Sequence, residues 1–147
     1  MYKNVFIDVN IWVDMFDQTR PSSRESIQAV KRILEDETTQ LFTSCDVITT
    51  LYYLLSRKRE DIALDAVEYV NTISTVVEFG NMEVTKSCRL MKQNKKFTDL
   101  EDTIQYVMAK KVKADLILSN DKGFVSDGIE VMSAEMFAER NRDFSLV

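Results

Sequence analysis

Histidine is missing from the 147-residue chain. That excludes histidine acid–base chemistry, Ser–His and Cys–His nucleophilic machinery, and any zinc site built on imidazole. Glycine and proline are scarce, at three and one, which excludes collagen-like and low-complexity classes and favours long regular elements, helices above all. No run of about 18 apolar residues occurs, so nothing reads as a membrane span. Only two cysteines are present, Cys45 and Cys88. Asp8 and Asn10 break the apolar start at Val5, so no secretory segment is expected ahead of them, and both thiols are expected to be reduced, buried and cytoplasmic. Basic residues are outnumbered, 19 against 24 acidic ones, for a formal charge of −5. That balance argues against gripping duplex nucleic acid by bulk electrostatics and leaves only a local basic strip for such a role.

What is present is apolar and patterned. Hydrophobic residues make up 45% of the chain and aromatics 10%, which is incompatible with wholesale disorder. The length predicts one domain over residues 1–147, with a core that needs no staples. Val5-Phe6-Ile7 reads as a buried strand closed by Asp8, and Asn10-Ile11-Trp12-Val13 begins a short helix that Gln18 to Pro21 interrupts. Ser22 and Glu25 have capping-box spacing, and Ile27, Val30, Ile33 and Leu34 carry a helix to about Asp36. A strand is expected at Gln40 to Thr43. Helices follow through Val47, Ile48, Leu51 and Leu55, and through Ile62 to Val70, with Arg57-Lys58-Arg59 between them. Thr75 to Phe79 is β-branched and stops at Gly80, and Glu83 to Lys92 reads as a helix. Thr98 and Glu101 form a second capping-box pattern ahead of the stripe Ile104, Val107, Met108 and Val112. Asp115 to Leu118 is a strand ended by the turn-forming string Ser119 to Gly123, Ile129 to Val131 is another, and Ser133 starts the last helix. This alternation predicts an α/β domain with a parallel sheet, whose carboxyl edge is where ligands usually sit.

Two of these strands run into aspartate, at Asp8 and, past Ser119-Asn120, at Asp121. If both strands are parallel and central, the two acids emerge on one edge. Asp99 and Asp102 lie in the first turn of the preceding helix, on one face by their i,i+3 spacing. Like charges in one site raise each other's pKa, so the group calls for a cation. Oxygen donors without imidazole or thiolate select Mg²⁺ or Mn²⁺. Each acid alone also has a structural reading: Asp8 as a helix cap, Asp121 as turn chemistry, and Asp99, Glu101 and Asp102 as favourable charges at a helix's positive end. Their joint placement is the stronger signal.

Three stretches carry a family resemblance. Phe6-Ile7-Asp8-Val9-Asn10-Ile11-Trp12-Val13-Asp14 resembles the opening of PIN-domain ribonucleases, a strand ending in Asp-x-Asn or Asp-x-Ser. Leu100-Glu101-Asp102-Thr103-Ile104-Gln105-Tyr106-Val107-Met108-Ala109 is similar to their third motif, and Ala114 to Phe124 to their closing strand, Ser-x-Asp and Phe. The similarity runs over essentially the whole chain, with the motifs in order. It implies a PIN-like three-layer α/β fold, a mostly parallel central sheet flanked by helices, and endonucleolytic cleavage of RNA with Mg²⁺ or Mn²⁺. It implies Asp8, Asp102 and Asp121 as catalytic, metal-holding carboxylates, Asp99 as an extra metal ligand, and Asn10 and Ser119 as residues that orient them. Many small bacterial members of this family are toxins of type II toxin–antitoxin pairs, so an antitoxin is an implied partner beside the RNA.

One position departs from the pattern. The family's second acid, a glutamate six residues after a serine, falls on Thr50 when counted from Ser44. Either Asp99 or Asp46 compensates, or metal affinity and activity are reduced. Arg57-Lys58-Arg59, Lys92-Lys95-Lys96 and Lys110-Lys111-Lys113 are candidate RNA contacts, each also readable as a solvated helix end. Tyr52-Tyr53 could stack a base, though packing in the core or in a homodimer is the favoured reading. Two other classes stay open: an aspartate-based phosphoryl-transfer domain, and a degenerate PIN-like scaffold that binds RNA or protein without catalysis.

Overall fold

The computed structural model describes residues 2–142. Its elements run β1 (Asn4–Ile7), α1 (Val9–Phe16), α2 (Ser23–Glu35), β2 (Gln40–Ser44), α3 (Cys45–Ser56), α4 (Glu60–Ile73), β3 (Thr75–Val77), α5 (Asn81–Gln93), α6 (Leu100–Lys111), β4 (Leu116–Leu118), β5 (Glu130–Met132) and α7 (Ala134–Arg142). The five strands form one sheet in the order β3-β2-β1-β4-β5, and every pairing is parallel. A parallel sheet must be covered on both faces, so its central strands are apolar on both sides. Successive side chains of a strand point to opposite faces. Val5, Ile7, Leu116 and Leu118 accordingly enter the core layer beneath α1, α2, α3, α4 and α7, while Phe6 and Ile117 enter the layer beneath α6. The outcome is the three-layer α/β arrangement expected from the alternation of strands and helices.

The order 3-2-1-4-5 places β1 at the centre, where the connection to β2 goes one way and later strands fill the other side. Such a reversal opens a crevice at the carboxyl ends of the central strands. Trp12 on α1 is fully buried behind that edge, and its indole N–H donates to Thr43 Oγ1 at 3.2 Å. Thr43 in turn donates to the Ile7 carbonyl at 3.0 Å. This pair ties α1, β1 and β2 together one residue before Asp8.

Several local expectations are corrected. Ser22 precedes α2 but makes no side-chain capping bond, so the Ser22–Glu25 box does not form. Thr98 does not cap α6 either. Asp99 does, its Oδ1 accepting the Asp102 N–H at 2.9 Å, because a carboxylate one residue nearer the helix reaches the same orphan donor. Neither cysteine is buried: Cys45 is half-buried and Cys88 exposed, on a helix whose inward residues are Glu83 and Ser87. Tyr52 and Tyr53 are both exposed rather than core, and Tyr53 instead carries the Arg57 guanidinium over its ring at 5.5 Å. Among the described residues, no helix is long and apolar enough to cross a membrane.

Candidate active site

Strand register sets the site. β1 pairs with β2 so that Phe6 lies beside Phe42, and with β4 so that Ile7 lies beside Leu118. Two residues past Phe42, and one past Ile7 and Leu118, Ser44, Asp8 and Ser119 come level at the carboxyl edge, on strands about 4.8 Å apart. Asp8 is 3% exposed. Its Oδ1 caps α1 by accepting the Val9 N–H at 2.8 Å, and its Oδ2 accepts from Ser119 Oγ at 2.8 Å and Asn10 Nδ2 at 3.2 Å. The cap reading of Asp8 is met by Oδ1, which leaves Oδ2 bonded at the carboxyl edge. Burial pushes its pKa up to about 6, with Asp121 and Glu101 adding repulsion and the Ser119 and Val9 bonds pulling the other way.

Asp102 enters from α6, whose first turn faces this edge. Its pKa is pushed up to about 7, first by burial, then by the charges of Asp8, Asp121 and Asp99, and by a hydrogen bond with Asp121 that favours the protonated form. Carboxylates gathered this closely, with none of their charge offset, mark a place where positive charge is short. Asp121 is exposed, accepts the Gly123 N–H at 2.9 Å, and donates its own N–H to Ser119 Oγ at 3.1 Å. Ser119 thus couples Asp121 to Asp8 through one hydroxyl. Asn10 braces the same loop, its Oδ1 accepting the Asn120 N–H at 2.9 Å.

Asn120, read from sequence only as a turn residue, is the loop's anchor. Its amide donates to Asp14 Oδ2 at 2.6 Å and Ser26 Oγ at 2.9 Å, and its Oδ1 accepts the Ala134 N–H at 2.9 Å. Three helices are thereby tied to the residue beside Asp121. Asp14 is also paired with Arg20.

A second set of acids lies beside the first. Glu101, given a capping role by its spacing from Thr98, makes no such bond. Burial and the charges of Asp46 and Asp99 raise its pKa. Asp46 sits in the first turn of α3, two residues past Ser44. Ser44 is the N-cap residue of α3 yet forms no capping bond, forgoing about 1 kcal/mol. Its hydroxyl instead donates to Asp46 Oδ1 and accepts from Gln105 Nε2 at 2.8 Å. Gln105 Nε2 also lies 3.1 Å from both Asp46 oxygens. Gln105 is 1% exposed, and its Oε1 has no partner among the described residues, an arrangement that costs about 1–3 kcal/mol. Thr50 is half-buried on the turn after Asp46 and supplies no charge.

The donor set is all oxygen, carries a surplus of negative charge, and suits a hard divalent cation. Among the described residues, no Lys or Arg makes an ion pair with Asp8, Glu101, Asp102 or Asp121. Among the same residues, no group of three or more acidic or thiol side chains already encircles one point. The basic clusters are partly committed elsewhere: Lys58 to Asp17 at 3.5 Å, Arg59 to Asp61 at 3.3 Å, and Lys111 to Glu83 at 3.5 Å.

Comparison with known proteins agrees with this geometry. The PIN domain family model matches residues 5–126. Ribonuclease VapC1 of Aquifex aeolicus is 48% identical over 138 residues, spanning 94% of this chain and 95% of that protein. The crystal structure of Mycobacterium tuberculosis VapC20, described as a sarcin-ricin loop cleaving toxin, superposes with a TM-score of 0.67 at 15% identity, covering 86% of this chain and 98% of that one. DNA-bound VapBC from Salmonella typhimurium gives 0.67 at 13% identity over 89% and 98% of the two chains. These two likenesses concern the fold alone. With the family model spanning both strand-end aspartates and the α6 acids between them, the chain belongs to the PIN-domain family.

Proposed function

We propose that the protein is a Mg²⁺- or Mn²⁺-dependent endoribonuclease, acting as a single domain and serving as the toxin of a toxin–antitoxin pair. The observation that carries this reading is the electrostatic state of the carboxyl edge. Burial, first of all, pushes Asp8 up to about 6 and Asp102 to about 7, with the charges of Asp121 and Glu101 added at Asp8 and those of Asp8, Asp121 and Asp99 at Asp102, and among the described residues no Lys or Arg is paired with either. The names of the A. aeolicus relative and of the VapBC neighbours support the substrate class and the partner class respectively.

Asp8, Asp102 and Asp121 would hold the ion, directly or through its waters, with Asp99 supporting Asp102 from the helix cap. When bound, the metal lowers the pKa of a coordinated water and offsets charge on the scissile phosphate. The protein's own residues do the positioning. Ser119 and Asn10 fix the Asp8 carboxylate, and the same Ser119 hydroxyl holds the Asp121 backbone. Without histidine, deprotonating Asp8 and Asp102 is what readies the site.

Incubating purified protein with single-stranded RNA and Mn²⁺ tests this. Cleavage is expected, with loss in EDTA and in Asp102→Asn. Cleavage that persists in EDTA, or an Asp102→Asn variant that keeps full activity, refutes the metal mechanism. The product of a neighbouring reading frame should bind the chain and block cleavage if the toxin role is right.

A further inference from the structure

We infer that the groove between α5 and α6 binds RNA, with Lys86, Arg89 and Lys110 holding phosphates of the strand that leaves the acidic edge. The inference rests on the ribonuclease reading above and extends it to a surface outside the carboxylate cluster.

The groove encloses about 580 Å³. Its two helices are antiparallel: Glu83 in the first turn of α5 meets Lys111 at the end of α6 at 3.5 Å. From Glu83, α5 therefore runs back toward the start of α6, where Asp102 lies. Lys86 and Arg89 follow Glu83 by three and six residues, so they stand about 4.5 and 9 Å along that path. On the facing helix Lys110 follows Asp102 by eight residues, a rise of about 12 Å, and the i,i+4 series Asp102, Tyr106, Lys110 keeps to one side of α6. A helical side chain leans toward the N-terminus of its helix. Lys110 Nζ accordingly lies over the Tyr106 ring, 5.7 Å from its centre and one turn nearer the acids. The groove thus continues the acidic edge along α6.

The chain carries −5 overall, yet this groove is lined by four basic side chains and one acid. The acid, Glu83, is committed: it accepts the Gly80 N–H at 2.9 Å and pairs with Lys111. Among the described residues, Lys86, Arg89 and Lys110 make no ion pair. The Arg57-Lys58-Arg59 cluster is in the opposite condition, with Lys58 paired to Asp17, Arg59 to Asp61, and Arg57 lying over Tyr53. Carboxylates at the cut repel an RNA backbone, so affinity has to come from cations beside them that neutralise phosphates.

The floor of the groove is apolar and closed. Tyr106 is 6% and Val107 9% exposed, and the Tyr106 ring packs on Phe97 at 5.0 Å with Lys110 over it. No face of that ring is open for a base to stack on. Contacts here are therefore to phosphate and carry no sequence preference. An acidic protein segment would match the charge as well, but the continuity of the groove with the α6 acids selects RNA.

Fluorescence anisotropy of a labelled, long, unstructured RNA in EDTA, repeated over a salt series, tests this without cleavage. The triple variant Lys86→Ala, Arg89→Ala, Lys110→Ala should bind about tenfold more weakly at low salt. Its log–log salt slope should fall by about 2, and that of each single variant by about 0.7, from the lost single-strand phosphate contacts. With Mn²⁺ the triple variant should show a raised KM on the long RNA at unchanged kcat. A tetranucleotide spanning only the cut is too short to reach the groove and should be cleaved as by the wild type. Circular dichroism separates misfolding from lost affinity. Folded variants with wild-type affinity and salt slope overturn the RNA path, as does a wild type that does not bind the long RNA. Equal losses on the tetranucleotide and the long RNA also overturn it, because the three residues then act at the cut. Unchanged RNA affinity with lost binding of polyglutamate makes the groove a seat for an acidic protein segment and likewise overturns it. The ribonuclease reading stands through all of these if the wild type cuts the tetranucleotide with Mn²⁺ and not in EDTA; failure there overturns that reading, and the anisotropy still decides whether the groove binds RNA.

Discussion

Replacing Asp8 by Asn should stabilise the metal-free protein at alkaline pH and not at acid pH. The Asp8 pKa rises from 3.8 to about 6 on folding. The unfolded chain therefore ionises first, and wild-type stability falls as pH climbs from about 4 to 6. At 1.36 kcal/mol per pH unit the whole rise amounts to about 3 kcal/mol at pH 8, and the part between pH 5 and pH 8 to about 1.4 kcal/mol. Asn is neutral and close to isosteric, but its amide N–H₂ replaces the oxygen that accepts from Ser119 and Asn10. Ser119 can turn its hydroxyl; Asn10 cannot accept through Nδ2, a loss of about 1 kcal/mol. The net expectation is a gain of about 1–2 kcal/mol at pH 8, shrinking to near zero at pH 5. Asp102, freed of one repelling neighbour, pushes in the same direction. Urea unfolding in EDTA at the two pH values measures the difference. A variant destabilised equally at both would refute the reasoning, because it would mean that Asp8 is held for its hydrogen bonds and not against its charge.

Three further outcomes are expected. Thr50→Glu in the wild-type background should destabilise the metal-free protein yet raise Mn²⁺ affinity by about 1–2 kcal/mol, the scale of coupling between close groups; thermal melts with EDTA and with Mn²⁺ read both, and indifference to metal places Thr50 outside the site. Asn120→Ala should cost about 2–3 kcal/mol in urea, since it strips buried Asp14 and Ser26 of a donor and the Ala134 N–H of its acceptor; a loss under 0.5 kcal/mol would dismiss the anchor role. Trp12→Phe should cost about 1–3 kcal/mol by the same assay, from the lost bond to Thr43 and a partly filled cavity; an unchanged midpoint would contradict that pairing.

The sheet was legible because its strands are written as short apolar runs, and Val5-Phe6-Ile7 and Leu116-Ile117-Leu118 can only be buried on both faces. The acidic edge was legible because Asp8 directly follows the first of those runs and Asp121 follows the second after Ser119-Asn120. Helix caps were less so: Ser22–Glu25 and Thr98–Glu101 satisfy a spacing rule that other donors and acceptors fulfil more easily once the chain is folded. Glu101 was hidden by that misassignment. Asn120 and Gln105 left no local signal, because their bonds to Asp14, Ser26, Ser44 and Asp46 run to residues 59–106 positions away, and no short window contains both ends. Tyr52 and Tyr53 read as packing in the core or in a homodimer, and α3 turns both away from the core.

The central claim is that the carboxyl edge is a cation site whose buried acids must lose protons before it can fill. Mn²⁺ titration calorimetry of the wild-type protein, repeated in buffers of different ionisation enthalpy at pH 6.5 and pH 8.5, tests it most directly. With Asp8 and Asp102 at about 6 and 7, binding at pH 6.5 should release about one proton and be weaker, whereas binding at pH 8.5 should release essentially none. Proton release that is the same at both pH values, or affinity that does not rise with pH, would contradict the account.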